Sequence, residues 1–317
     1  MKALDYSIVI PVYFNQGSLK STAERIFSEV FDAYPTKRGE IVFVDDGSGD
    51  GSLAELEEIF REYPDRVRIL KLSRNFGQVN AWWCGLKSTP GPVVVISADG
   101  QDPAGLIPTM LRAHFDDGVE VAIATRQTRE ESFWRRFTSS VVYNAIRKLG
   151  HRDMPPGGFD FFMLGARAKN ALVSSWQPNT FFQVRVLELG FPRLMIPYHR
   201  EERVVGKSRW TFSKKLTYMI DGVLGHSYLP IRAMSLIGLF TALVSFLLGL
   251  FFFVAYFFNP HVIRGWTPLI LIVLFIGGVQ MLLIGILGEY LWRVLAQTRG
   301  NPPYIVEKEY RSGDNVD

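Results

Sequence analysis

The chain has 317 residues, a net charge of +4 and a pI near 9.1. That length allows one large domain with an accessory part, and the mild basicity suits a phosphate-bearing substrate or an anionic membrane surface without selecting either; no nucleic-acid partner is expected. A single cysteine, Cys84, excludes an internal disulfide, no zinc-ligand spacing occurs, and the apolar stretch Ala81–Leu86 around that cysteine reads as helix packing rather than thiol catalysis.

In chain order, Tyr6–Val12, Glu40–Val44, Val67–Leu72, Pro92–Ile96 and Val119–Ala124 are rich in Val and Ile and are predicted as strands. Between them, Ser18–Ala33, Ser52–Glu62, Val79–Ser88 and Ala104–Phe115 mix apolar and polar residues as amphipathic helices do. This alternation predicts an α/β domain with a mostly parallel, Rossmann-like sheet. The first residues, Met1–Tyr6, lack a signal-peptide apolar region and run straight into a strand, which places the first domain in the cytoplasm.

From Arg126 the rhythm breaks into a charged segment with embedded aromatics, followed by helix-like Phe137–Leu149, a loop at Met154–Gly158 and a short strand pair within 192–205. Ser213–Tyr228 is apolar on one side and carries Lys214, Lys215 and Asp221 on the other. It suits equally a helix lying in a membrane interface and one packed on the domain. The runs Met234–Phe258 and Thr267–Leu287 are nearly all apolar and charge-free, each long enough to span a bilayer as a helix, and core helices are the weaker reading. Lys214, Lys215 and Arg232 precede these runs and Arg293, Arg299 and Lys308 follow, against Arg264 alone between them. The positive-inside bias therefore predicts a multi-pass protein of the cytoplasmic membrane with both ends in the cytoplasm.

Three polar turns follow predicted strands. Asp45-Asp46-Gly47-Ser48-Gly49-Asp50 puts two carboxylates at a strand's carboxyl end, where a ribose or base is read, although a capped turn without ligand has the same pattern. Ser73–Gln78 offers Arg74 to a phosphate, Asn75 and Gln78 as hydrogen-bonding groups, and Gly77 for close backbone approach. In Val93–Pro103 an apolar run ends in oxygen-bearing residues. If the chain stays extended past Ile96, Ser97, Asp99 and Gln101 point to one side and suit a hard cation.

Together these turns resemble the family 2 glycosyltransferases of the A fold. The closest resemblance is to the polyprenyl-phosphate group that includes dolichol-phosphate mannose synthase and bactoprenol glucosyltransferase. The matching residues are Ile10–Tyr13, Val44–Ser48, Leu72–Gly77, Ala98–Pro103, Gly206–Trp210 and Leu287–Leu291, so the resemblance covers essentially the whole chain. It implies a nucleotide-diphosphate sugar as donor, a polyprenyl (undecaprenyl or dolichyl) phosphate as acceptor and a lipid bilayer as partner, and it is compatible with a homo-oligomer. Pro11, Tyr13, Asp45, Asp46, Asn75, Gly77, Gln78, Ala98, Asp99 and Gln101 would bind the donor. Asp99 and Gln101 would hold a divalent metal, Mg2+ or Mn2+. Arg126, Arg203, Lys207, Ser208 and Arg209 would bind the acceptor phosphate or donor diphosphate.

Asp160 matches the group's proposed base, and a carboxylate that orients a cation reads the same. The implied organisation is a cytoplasmic catalytic domain over 1–212, an interface helix region over 213–231, a two-helix transmembrane hairpin over 232–294 and a cytoplasmic tail over 295–317. Two positions depart from the group: Ser97 stands where a carboxylate is usual, and Phe162 where arginine is common. The implied reaction is a metal-dependent, inverting sugar transfer. A non-catalytic nucleotide-sugar-binding membrane protein and a processive polysaccharide synthase are the rival readings.

Overall fold

The computed structural model describes residues 4–126, 153–156, 158–176, 181–201, 229–258 and 266–313. The chain forms two compact units, Met1–Met219 with Pro302–Asp317, and Ile220–Asn301.

The first unit is a sheet covered on both faces. Its strands are β1 (Tyr6–Val12), β2 (Gly39–Asp45), β3 (Val67–Leu72), β4 (Val93–Val95), β5 (Val121–Arg126), β6 (Phe162–Leu164), β7 (Arg193–Tyr198) and β8 (Val306–Tyr310). Their order across the sheet is β7-β5-β6-β4-β1-β2-β3-β8. β1 pairs in parallel with β2 and β4, β2 with β3, and β5 with β7, while β6 and β8 run antiparallel to their neighbours.

The helices of this unit are α1 (Leu19–Ile26, continued by a π-helical turn, Phe27–Phe31), α2 (Ser52–Glu62), α3 (Gln78–Ser88), α4 (Ile107–Phe115, after a 3-10 turn, Ala104–Leu106), α5 (Ala166–Ser174) and α6 (Phe182–Glu188). Side chains alternate across the sheet as the period of two requires. Ile8, Ile10, Ile41, Phe43 and Val94 join a core with residues of α1, α2 and α4. Val9, Val42, Val44, Val93 and Val95 join a second core with α3, α5 and α6. Burial on both faces is why these strands read as continuous apolar runs. α3 lies so close on β1 that a Cβ on Gly85 would sit 2.3 Å from Val9 Cγ1.

The structure adds to and corrects the expected elements. Of the strand pair expected within 192–205, the described residues form the strand Arg193–Tyr198, and residues 202–205 lie outside the described ones. Three-residue β6 is an added antiparallel strand wedged between β4 and β5. The segment 295–317, expected as a tail, contains β8, which closes the sheet against β3. The expected interface helix, 213–228, lies outside the described residues, as does Phe137–Leu149.

The second unit contains α7 (Leu229–Phe258) and α8 (Trp266–Thr298), at the two expected apolar runs. Among the described residues, Phe275–Thr298 is long and apolar enough to cross a membrane, and Arg232–Leu248 is a shorter apolar stretch. Large apolar side chains on both helices are exposed, Phe240, Phe246, Phe275 and Met281 among them.

Candidate active site

The carboxyl ends of β1 to β4 open into four turns, the edge where ligands of such sheets bind. The turn after β1 is tight: Phe14 takes the left-handed conformation at φ 57°, a costly state for an aromatic residue that neighbours must hold in place. The β2 turn supplies that hold. Ser48 Oγ accepts from Phe14 N at 3.1 Å, Ser52 Oγ accepts from Asn15 N at 2.9 Å, and Gln16 Oε1 accepts from Gly51 N at 3.1 Å. Ser18 Oγ donates to the Ala98 carbonyl at 2.9 Å, linking the same region to the turn after β4.

Asp46 joins the β2 turn to the β3 turn. Its carboxylate accepts from Phe76 N at 2.7 Å, Gly77 N at 2.9 Å and Asn75 Nδ2 at 2.9 Å. Burial pushes its pKa up to about 6, against the downward pull of the Phe76 and Gly77 amides. Gly47, at φ 70°, fits beneath because a Cβ there would lie 2.6 Å from the Arg74 carbonyl carbon. Asp46 and Asn75, both expected to bind the donor, hydrogen-bond to each other here.

Asp45 differs. One of its oxygens accepts from Ser48 N at 3.1 Å, and the other, Oδ2, is buried with no hydrogen-bond partner. Burial raises its pKa. An unpaired buried acceptor costs free energy, so this oxygen suits an N–H or O–H brought by a ligand. Pro11, half-buried near the end of β1, lies opposite Val44, Tyr13 packs edge-on against Phe14 at 4.7 Å, and Gly77, with open space at its Cβ position, caps α3 at Gln78.

The turn after β4 gathers charge. Ser97 Oγ lies 2.7 Å from Asp99 Oδ1 and 2.6 Å from Asp102 Oδ2. One hydroxyl proton serves one of these contacts at a time, so the corner holds more acceptor oxygens than hydrogens. Asp102, with a side chain 0% exposed, also accepts from Tyr198 Oη at 2.7 Å. Arg200 supplies positive charge, with Nη2 3.6 Å from Asp99 Oδ2 and Nε 3.8 Å from Asp102 Oδ1.

Gln101, expected beside Asp99 as a metal ligand, donates through Nε2 to the Glu201 carbonyl at 3.1 Å. The chain turns at Gly100, at φ 68°, rather than staying extended past Ile96, so the alternation expected for 97, 99 and 101 does not persist.

A continuous line of polar contacts leads onward. Tyr198 Oη accepts from Arg126 Nε at 3.2 Å, and Arg126 Nη2 donates to Asp160 Oδ2 at 2.8 Å. Burial opposes the Arg126 charge, but Asp160, Tyr198 and Asp102 outweigh it and raise its pKa above the ordinary arginine value. Asp160 is thus ion-paired with Arg126 in this structure. Phe162, two residues on, is fully buried against Trp82 and Phe182, so its side chain belongs to the core. Arg203, Lys207, Ser208 and Arg209 lie outside the described residues.

Sequence reasoning missed Asp102, Tyr198 and Arg200. Asp102 was legible as a second carboxylate three residues after Asp99, but Asp-Pro also reads as an ordinary helix start. The other two are 96 residues or more from the carboxylates they meet, Asp99 and Asp102.

The profile of the family described as Glycosyl transferase family 2 matches residues 7–171. The chain is 33% identical over 313 residues to the uncharacterized glycosyltransferase YkcC of Bacillus subtilis (strain 168), covering 97% of this chain and 94% of that one. It is 32% identical over 306 residues to the putative glycosyltransferase CsbB of the same organism, covering 95% and 91%. It is 29% identical over 307 residues to the SfII prophage-derived bactoprenol glucosyl transferase of Shigella flexneri, covering 96% and 98%.

Proposed function

The chain belongs to glycosyl transferase family 2 and is a glycosyltransferase, and from that premise we propose that it moves a sugar from a nucleotide-diphosphate donor to a membrane polyprenyl phosphate. The observation that carries this reading is the pairing, on one sheet edge, of an unpartnered buried acceptor, Asp45 Oδ2, with the Asp99–Asp102 corner. Asp45 accepts a hydrogen bond from the donor nucleoside. The β1 and β3 turns, with Pro11, Tyr13 and Gly77, form the walls around it. Similarity over nearly the full length of a protein named bactoprenol glucosyl transferase supports the lipid acceptor.

The corner fits a hard divalent cation, because its donors are all oxygens and a guanidinium already stands 3.6 Å from Asp99 as a substitute charge. Asp99, with Ser97, would hold Mg2+ or Mn2+, which when bound neutralises charge on the departing nucleoside diphosphate. Magnesium sites of this type need only one or two carboxylates alongside substrate phosphates, so Ser97 does not disqualify the corner.

The acceptor phosphate needs little help from a base, since its second pKa of about 6 leaves it largely dianionic at neutral pH. Its oxygen bonds to the anomeric carbon as the bond to the donor phosphate breaks, which inverts that centre. Positioning and charge then dominate the chemistry. Arg126, held by Asp160 and Tyr198, contributes fixed positive charge, and Arg203, Lys207, Ser208 and Arg209 are the further candidates for phosphate contact. The exposed apolar side chains of α7 and α8 favour a lipid environment, and the flanking lysines and arginines favour two spans with both ends in the cytoplasm.

Membranes from expressing cells, supplied with a panel of radiolabelled nucleotide sugars, are expected to form one organic-extractable glycolipid. Activity should disappear on chelation and return with Mn2+ or Mg2+. Label found only in a water-soluble polymer would overturn the lipid acceptor, and full activity after chelation would overturn the metal. A retained anomeric configuration in the isolated glycolipid would refute inversion.

A further inference from the structure

Arg200 is held unlike the other arginines around the site. Arg126 meets Asp160 at 2.8 Å, and Arg25 meets both oxygens of Glu201, at 2.9 and 3.1 Å. These are short, directed contacts. Arg200 instead stands 3.6 Å from Asp99 and 3.8 Å from Asp102, beyond hydrogen-bond reach, and its Nε is buried without a hydrogen-bond partner.

Its backbone neighbour is firmly placed. Glu201 N donates to the Gln101 carbonyl at 2.9 Å, Gln101 Nε2 donates to the Glu201 carbonyl at 3.1 Å, and Arg25 Nη1 also reaches the Gly100 carbonyl at 3.2 Å. The segment is therefore anchored beside the turn while the tip of Arg200 sits loosely between two carboxylates. The corner brings two carboxylates onto one hydroxyl, with Gln101 N 3.3 Å from Asp99 Oδ1 and Tyr198 Oη 2.7 Å from Asp102 Oδ1, so a neighbouring positive charge stabilises it. The guanidinium supplies that charge without directed bonds.

We propose that Arg200 is an exchangeable counter-ion: it neutralises Asp99 and Asp102 while the donor is absent and releases Asp99 when a divalent cation binds there. The inference rests on the metal reading proposed above. Arg200 is then a positioning residue, and its competition with the cation limits metal binding by the empty enzyme. Ser97 has a part in this arrangement, since a third carboxylate there would bind metal strongly without donor.

The test is Mn2+ binding to the full-length protein in detergent, without donor, followed by the electron paramagnetic resonance of free Mn2+. Arg200→Gln is expected to bind Mn2+ about tenfold more tightly than the wild type. Arg200→Lys, which keeps a cation on a shorter reach, is expected to fall between the two. Asp99→Asn is expected to lose the site. The wild type and Arg200→Lys suffice for the comparison if Arg200→Gln does not fold. In the metal-free state Arg200→Gln should also melt at a lower temperature than the wild type, and Mn2+ should close that gap. Equal Mn2+ affinities for all Arg200 forms, each lost in Asp99→Asn, would overturn the counter-ion role and leave the metal reading intact. Equal affinities that survive Asp99→Asn would overturn both.

Discussion

The turns after β1, β2 and β3 and the corner after β4 share one sheet edge but are built on opposite terms. In the first region Ser48, Ser52 and Asp46 bind neighbouring backbone amides at 2.7–3.1 Å, and one oxygen, Asp45 Oδ2, is left without a partner. In the second, two carboxylates share the Ser97 hydroxyl, Gln101 N and Tyr198 Oη each reach one of them, and the Arg200 guanidinium stands 3.6 Å or more away. The first region is shaped before any ligand arrives, which limits the ordering cost of binding. The second keeps charge that can be re-partnered. A rigid pocket for the constant part of a donor beside an adjustable one for its reacting phosphates is a coherent division of labour for a transferase.

The sharpest way to break this contrast is at Asp102, which has a fully buried side chain that joins Ser97, Tyr198 and Arg200. Asp102→Asn leaves the shape but removes the charge that holds the corner together. Turnover is expected to fall on the order of 100-fold, with donor KM nearly unchanged, because the loss falls on charge stabilisation rather than on the nucleoside. Equal damage to KM would show that the two regions act as one.

Asp46 tests the rigid region through pH. Burial raises its carboxyl from an ordinary 3.8 to about 6, so in that window the folded state holds a proton that the unfolded state has lost. Stability from this group is therefore fully present below about pH 4 and falls as pH rises through 6, by on the order of 2 kcal/mol. Asp46→Asn removes that slope. The gap in melting temperature between the wild type and the variant is expected to change steadily between pH 4 and 6.5 and to stay level above 7. A gap independent of pH would contradict the assignment.

Asp45→Asn should separate binding from stability. Its buried Oδ2 has no hydrogen-bond partner among the described residues and, on the proposed function, meets the donor. Donor KM is expected to rise about tenfold, roughly 1.4 kcal/mol, while the melting temperature holds or rises as a buried charge with one unpaired oxygen is removed. A lower melting temperature with unchanged KM would make Asp45 a structural residue.

The rigid region was the more legible one in the sequence. β1, β3 and α2 fall on the stretches their composition predicts: β1 is almost wholly apolar and buried, β3 keeps Val, Ile and Leu around Arg68 and Lys71, and α2 buries Leu56, Ile59 and Phe60 on one face. Asp45 and Asp99 stand where a strand ends, which a local pattern reveals. The adjustable corner depends on partners 96 to 101 residues apart, such as Tyr198 with Asp102 and Arg200 with Asp99, and no local pattern encodes such meetings. β6 was hidden by its length of three residues. β8, Val306-Glu-Lys-Glu-Tyr310, carries the charges that suit an exposed edge strand and so read as a solvated tail. Its pairing with β3 is fixed by Lys71–Glu307 and Arg68–Glu309, contacts that only the folded sheet creates.

The smallest expected effect lies at the seam between the regions, where Arg25 of α1 holds Glu201. The pair has two short contacts, but its side chains are 31% and 49% exposed, so solvent screens most of the attraction. Arg25→Ala is expected to cost about 0.5 kcal/mol and to move the melting temperature by roughly 1–2 °C. Its effect on Mn2+ affinity should be slight too, because the backbone pair between Gln101 and Glu201 survives and keeps Arg200 beside Asp99. An increase in Mn2+ affinity as large as that expected for Arg200→Gln would move the restraint from the guanidinium to the anchored backbone. In that case the corner would adjust by movement of the whole Tyr198–Glu201 segment, and its difference from the rigid turns would lie in the chain itself rather than in one side chain.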